Sequence, residues 1–226
     1  MFNKLLKFLT GNRAGVVAEE SAVVPDEIED LYETKTSSTR TPTVISEPVI
    51  TGNLDSNRAI LIVDDQESVF YLYETDFETI LERYGYDTCA NYKIVKCSGY
   101  TAGATAEAYV NGVSDDIVIG ILDLTLGTPI VTADGGIRLY DGVDIALEII
   151  KGHPRCKISF CTAHIMDSEN PAIKPLVDKF LNNTGHNLLD YSFSKNSDRA
   201  EFLYELVTAV DKGDYTDYRI IYDKDT

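Results

Sequence analysis

Residues 117–127, IVIGILDLTLG, constrain this chain more than any other stretch. Ile117, Val118, Ile119, Ile121 and Leu122 are apolar with no polar alternation. That is the pattern of a strand in a parallel sheet covered on both faces. The strand ends on one acid, Asp123. Open α/β sheets place their chemistry beyond the carboxyl ends of their strands, so Asp123 is a candidate reactive carboxylate. A single strand-end acid also commonly just begins a turn. Partners elsewhere in the chain decide between the two.

The buried-strand pattern recurs. Residues 59–63, AILIV, end on Asp64 and Asp65. Residues 67–84 then place Val69, Phe70, Tyr73, Phe77, Ile80, Leu81 and Tyr84 at helical spacing, with Gly85 as a C-terminal stop. A second strand over 93–98 and a second helix over 102–111 precede the Asp123 strand. After it, TPIVT and IRLY flank ADGG, which reads as a β-hairpin within 127–140. A third helix is expected over 141–151, a fourth strand, KISFC, over 157–161 ending on Thr162, and a helix over 176–183. Residues 188–193 read as a fifth strand, closely followed by Lys195. Ser197 or Asp198 caps a last helix running to about residue 210. Strands alternating with helices imply an α/β fold with a doubly wound, five-stranded parallel sheet, flavodoxin-like, of order 2-1-3-4-5. The hairpin is an insertion after strand 3.

The flanks differ in composition. Residues 1–57 read as a mostly unstructured N-terminal arm and linker, 58–211 as the domain, and 212–226 as an acidic tail whose RIIY segment could pair with a sheet edge. Phe2, Leu5, Leu6 and Leu9 share one helical face, either a short amphipathic helix for docking or membrane contact, or a frayed terminal helix or one resting on its own domain. Residues 25–34 form a candidate acidic helix, and 35–57, rich in Ser, Thr and Pro, a linker.

The chain has 226 residues, 44% of them hydrophobic, which suffices for one packed domain. Its net charge of −17 argues against a nucleic-acid surface, which needs clustered Lys and Arg. Cys89, Cys97, Cys156 and Cys161 form no C-x-x-C pair, and His153, His164 and His186 complete no zinc spacing. Free thiols in apolar runs and the lack of a membrane-length apolar stretch fit a cytoplasmic protein.

The strand ends now carry Asp64 and Asp65, Asp123, Thr162 and, just beyond the fifth, Lys195. In a parallel sheet these ends share one edge and converge. Three carboxylates crowded together repel, and a hard divalent cation such as Mg²⁺ relieves that repulsion. The Thr162 hydroxyl and the Lys195 ammonium suit the oxygens of a phosphoryl group, which leaves Asp123 as nucleophile.

LIVDD at 61–65, ILDLTLG at 121–127, FCTA at 160–163 and FSK at 193–195 resemble the motifs of the response-regulator receiver domain, the CheY-like domain of two-component signalling. DGVDIALEI at 141–149 resembles the segment opening that family's third helix. The resemblance spans about 58–211. It implies that Asp123 accepts a phosphoryl group from a histidine kinase or phosphotransfer protein and later loses it by self-catalysed dephosphorylation. It also implies that Asp64, Asp65, Asp123 and the backbone carbonyl of Thr125 hold Mg²⁺. Thr162 and Lys195 would engage the phosphoryl oxygens, while Thr125 and His164 would tune access of water. Output would run through an unidentified partner protein or a self-dimer.

Two positions depart from the family pattern. Asn196 stands where the family often has Pro after the Lys, with a cis bond, and a cis bond at a non-proline costs several kcal/mol. Ser192, flanked by Tyr191 and Phe193, stands at the family's switch aromatic. A degenerate receiver acting as an unphosphorylated scaffold is therefore the alternative. A Mg²⁺-dependent phosphohydrolase is disfavoured by Thr125, where a second Asp usually serves as acid/base, and a P-loop nucleotide site by the absence of its motif. The hairpin could lid the site, offer a partner surface or merely face solvent.

Overall fold

The computed structural model describes residues 41–162, 170–194 and 198–214, with only the backbone described for 190, 191, 193 and 194. In chain order the elements are β1 (Val49–Gly52), β2 (Arg58–Val63), α1 (Ser68–Tyr84), α2 (Thr88–Asn91), β3 (Lys93–Cys97), α3 (Ala102–Gly112) and β4 (Asp116–Leu122). There follow β5 (Ile130–Val131), β6 (Ile137–Arg138), α4 (Gly142–Gly152), β7 (Lys157–Thr162), α5 (Lys174–Thr184), β8 (Ser192–Ser194) and α6 (Arg199–Asp211).

The main sheet runs β1-β3-β2-β4-β7-β8. Its five parallel strands, β3-β2-β4-β7-β8, have the doubly wound order expected from the sequence. Side chains of β2 alternate between two cores, as a strand covered on both faces must. Leu61 and Val63 pack toward α3, α4 and α5, and Ile60 and Ile62 toward α1 and α6. Strand β4 carries one extra residue against β2: Ala59 pairs with Ile117, but Ile60 pairs with Ile119. This bulge at Val118 sets the register beyond it, so Ile62 lies beside Ile121 and Val63 beside Leu122. The next residues along these two strands, Asp64 and Asp123, therefore become neighbours.

Three features correct the sequence reading. The 35–57 stretch, expected as a linker, supplies β1, which pairs antiparallel with β3, so the described fold extends upstream of Arg58. A run of only three β-branched residues, Val49–Thr51, is too short to stand out among Ser, Thr and Pro. The expected fifth strand over 188–193 is a 3₁₀ turn over Leu188–Tyr191 followed by the three-residue β8. The Asn187 side chain accepts from Leu189 N–H, and the Ser192 hydroxyl donates to the Leu188 carbonyl, which together hold that turn. Finally, α2, capped by the Asp87 side chain, lies between α1 and β3, where the sequence indicates no element.

The inserted hairpin is the β5–β6 pair. It is seated on α3: Tyr140 packs against Gly103, and both the Tyr140 hydroxyl and Arg138 bond to Glu107. Upstream, Thr43 makes two hydrogen bonds with Val131, and Ser46 bonds to Thr101 and Thr105 on the α3 side. The segment that leads into β1 is thus laid across the hairpin and α3. Among the described residues no helix is long and apolar enough to cross a membrane. The helices expected over 2–9 and 25–34, the RIIY segment, His164, Lys195, Asn196 and Ser197 lie outside the described residues.

Candidate functional site

The backbone ladder continues one step past the strands and sets two of the acids. Asp123 N–H donates to the Val63 carbonyl at 2.8 Å, and Asp64 N–H to the Cys97 carbonyl at 3.1 Å. The Asp64 carboxylate accepts from Gln66 N–H at 3.0 Å, a local turn that fixes its rotamer. Asp64 is 1% exposed and Asp123 4% exposed, while Asp65 is half-buried. Carboxylate oxygens of Asp64, Asp65 and Asp123 lie within 4.8 Å of one another. Convergence of these three acids, expected from strand ends alone, is what the fold produces.

Two glycines close the site from the Asp123 side. Gly127 has φ +34°, and a Cβ there would come 2.7 Å from Asp65 Oδ2, so the loop after β4 folds back onto that carboxylate. A Cβ on Gly142 would overlap the Asp123 carbonyl oxygen. Thr125, exposed between these contacts, forms an antiparallel bridge with Asp141, and Gly142 N–H donates to the Leu124 carbonyl at 3.1 Å. The segment that leaves β4 is therefore laid against the start of α4.

Thr162 is fully buried at the end of β7. Register pairs Leu122 with Phe160, which brings Thr162 to the same edge as Asp123. Thr162 also pairs with Ser194, the residue before Lys195. Ser192 is half-buried, and its hydroxyl is used within the 3₁₀ turn.

Sequence reasoning gave no role to four polar residues around this edge. Tyr73 of α1 is 1% exposed, and burial first, with Cys161 and Asp64 nearby, holds its phenol well above the ordinary range. Helical spacing places it in the core and says nothing of its neighbours at this edge. Asp76 of α1 and Arg199, the first residue of α6, form a nearly buried ion pair at 2.7 Å. Burial raises the Asp76 carboxyl despite the opposing pull of Arg199. Lys179 of α5 reaches Asp141 and Asp144 at 2.7 and 2.8 Å. Only Asp76, a charge interrupting an apolar helical face, left a trace in the sequence.

The donor set fits a hard divalent cation. Mg²⁺ takes oxygen ligands, usually one or two carboxylates plus water and phosphate oxygens, and three carboxylates converge here.

Fold and site define a flavodoxin-like α/β domain with an acidic triad and a buried threonine at the carboxyl edge of its sheet. No family model and no curated relative matches the chain. Several solved structures that match are receiver domains. One is the CheY-like response regulator receiver domain protein of Methanospirillum hungatei JF-1, with 16% identity over 69% of this chain and 94% of that one, at a TM-score of 0.43. The receiver domain of NtrC4 from Aquifex aeolicus is 18% identical over 69% of this chain and 98% of that one, at 0.39. A Burkholderia pseudomallei response regulator, solved with a phosphorylated aspartic acid, calcium ion and citrate, is 14% identical over 69% and 70%, at 0.40. Strand order and register in this chain by themselves define the fold.

Proposed function

We propose that the protein is a phosphorylation-dependent signalling switch and that Asp123 is its phosphoacceptor. The observation that carries this reading is the convergence of Asp64, Asp65 and Asp123, two of them nearly buried, at one sheet edge. In the proposed reaction a carboxylate oxygen of Asp123 attacks the phosphorus of a phosphohistidine on a kinase or phosphotransfer protein. The P–N bond breaks as the acyl phosphate forms, and the imidazole leaves with the bonding pair. Asp64 and Asp65, with Asp123 and the Thr125 carbonyl, would hold Mg²⁺, which would neutralise the phosphoryl oxygens. The Thr162 hydroxyl would donate to a phosphoryl oxygen and Lys195 would pair with another. Thr125 and His164 would set how water reaches the acyl phosphate and so the lifetime of the switch. The output is a protein contact, through a partner or a second copy, biased by the phosphoryl group.

Beryllofluoride with Mg²⁺ mimics such an acyl phosphate and provides the test. Amide spectra of the wild type are expected to shift around Asp123, Thr162 and β8, with the shift lost in Asp64→Ala and without Mg²⁺. A wild type whose spectrum stays unchanged at saturating beryllofluoride would replace the switch reading with that of a scaffold.

A further inference from the structure

Lys179 of α5 reaches the start of α4, and its bonds are more specific than a surface ion pair requires. Lys179 Nζ donates to Asp141 Oδ2 at 2.7 Å and to Asp144 Oδ1 at 2.8 Å. These two carboxylates are the capping box of α4: Asp141 accepts from Asp144 N–H, and Asp144 accepts from Asp141 N–H. A helix N-terminus is positive, so an ammonium there is unfavourable unless carboxylates outweigh the dipole. The two acids do so, and they turn the start of α4 into an anchor for α5. The same few residues seat the phosphoacceptor. Asp141 bridges Thr125, Gly142 N–H holds the Leu124 carbonyl, and Gly142 abuts the Asp123 carbonyl. One continuous set of contacts therefore runs from Asp123 through 141–144 to Lys179.

What lies beyond Lys179 would feel a shift. A groove of about 660 Å³ opens between α4 and α5, walled by Leu147, Glu148 and Lys151 on one helix and Phe180, Asn183 and Thr184 on the other. Its two walls are the helices that Lys179 ties together.

Resting on the switch reading above, we propose that Lys179 is a positioning residue that transmits the state of Asp123 to α5. Through Asp141 and Asp144 it makes α5 follow the start of α4 when the Asp123 loop moves. The chemistry stays with Asp123; Lys179 sets what the rest of the molecule senses.

Hydrogen exchange of the full chain with and without beryllofluoride and Mg²⁺, together with intact mass after a small-molecule phosphodonor, tests this. The wild type is expected to change exchange over 174–184 when Asp123 is loaded. Lys179→Met should still take up the phosphoryl group but lose that change, and Lys179→Arg should restore it. Asp144→Asn, which keeps the Asp141 cap and removes one charge, should diminish the change and serves if Lys179→Met is poorly folded. A merely structural role would lower the melting temperature without altering the ligand-induced change. An α5 response in Lys179→Met equal to that of the wild type would overturn the proposal. A wild type that takes up no phosphoryl group would instead overturn the switch reading, and this inference with it.

Discussion

The two edges of the sheet gather different numbers of acids. At the amino edge one carboxylate, Asp211 at the end of α6, is ringed by donors. It accepts from Arg58 at 2.9 Å, from the Tyr92 hydroxyl at 2.6 Å and from Tyr86. Arg58 also lies over the Tyr92 ring, 4.7 Å from its centroid. At the carboxyl edge oxygens of three carboxylates lie within 4.8 Å of one another. The first arrangement locks α6 to the starts of β2 and β3. The second concentrates three acids, two of them nearly buried, at one sheet edge. A fold under selection for stability alone would have no use for the second. The contrast singles out the carboxyl edge as the candidate site.

The largest effect should come from removing an acid that the site needs. Asp64→Ala is expected to abolish Mg²⁺-dependent phosphoryl uptake while leaving circular dichroism unchanged; retained uptake would break the contrast at its functional end. Next comes Gly142→Ala. The added methyl would overlap the Asp123 carbonyl, and overpacking of this kind costs about 1–3 kcal/mol. Denaturant titration should show that loss, with slower phosphoryl uptake alongside it.

Asp211→Asn and Asp65→Asn then sharpen the comparison by sign. At the amino edge the Asn variant weakens charge-assisted hydrogen bonds and should cost about 1–2 kcal/mol. At the carboxyl edge it removes like-charge repulsion and should raise the melting temperature in chelator by about 2–4 °C, the shift that follows from about 1 kcal/mol in a domain of this size. Calorimetry in chelator reads both. If both variants are destabilised, the carboxyl edge is not strained by its charge.

The smallest expected effect is pH dependence at the amino edge. Burial alone would raise the Asp211 carboxyl, but hydrogen bonds from Tyr86, Tyr92 and Arg58 outweigh it and hold the group below its ordinary range. A depressed carboxylate contributes stability above its unfolded pKa of about 3.9 and loses it as pH falls through the folded value. The difference in melting temperature between wild type and Asp211→Asn should therefore be full near neutrality and shrink below about pH 4.

The sequence disclosed the site through its strand ends. Asp64, Asp65, Asp123 and Thr162 each follow an apolar run, and a parallel sheet places such ends together whatever the loops do. The strand order was accessible for the same reason, since alternating strands and helices leave few right-handed solutions. Features set by tertiary contact were not. β1 forms because an edge of β3 is available, not because Val49–Thr51 insists on a strand. β8 begins only at Ser192 because a 3₁₀ turn that local spacing cannot foresee takes Leu188–Tyr191. The ion pairs of Lys179 and Arg199 join residues that lie 38 and 123 positions from their partners Asp141 and Asp76, a distance over which no periodicity runs.

The most direct measurement of the central claim is intact mass after incubation with a small-molecule phosphodonor and Mg²⁺, comparing wild type with Asp123→Ala. The wild type should gain a single phosphoryl unit, labile in alkali as an acyl phosphate is, and Asp123→Ala should gain none. Equal uptake by the two proteins, or none by a folded wild type, would contradict Asp123 as the phosphoacceptor.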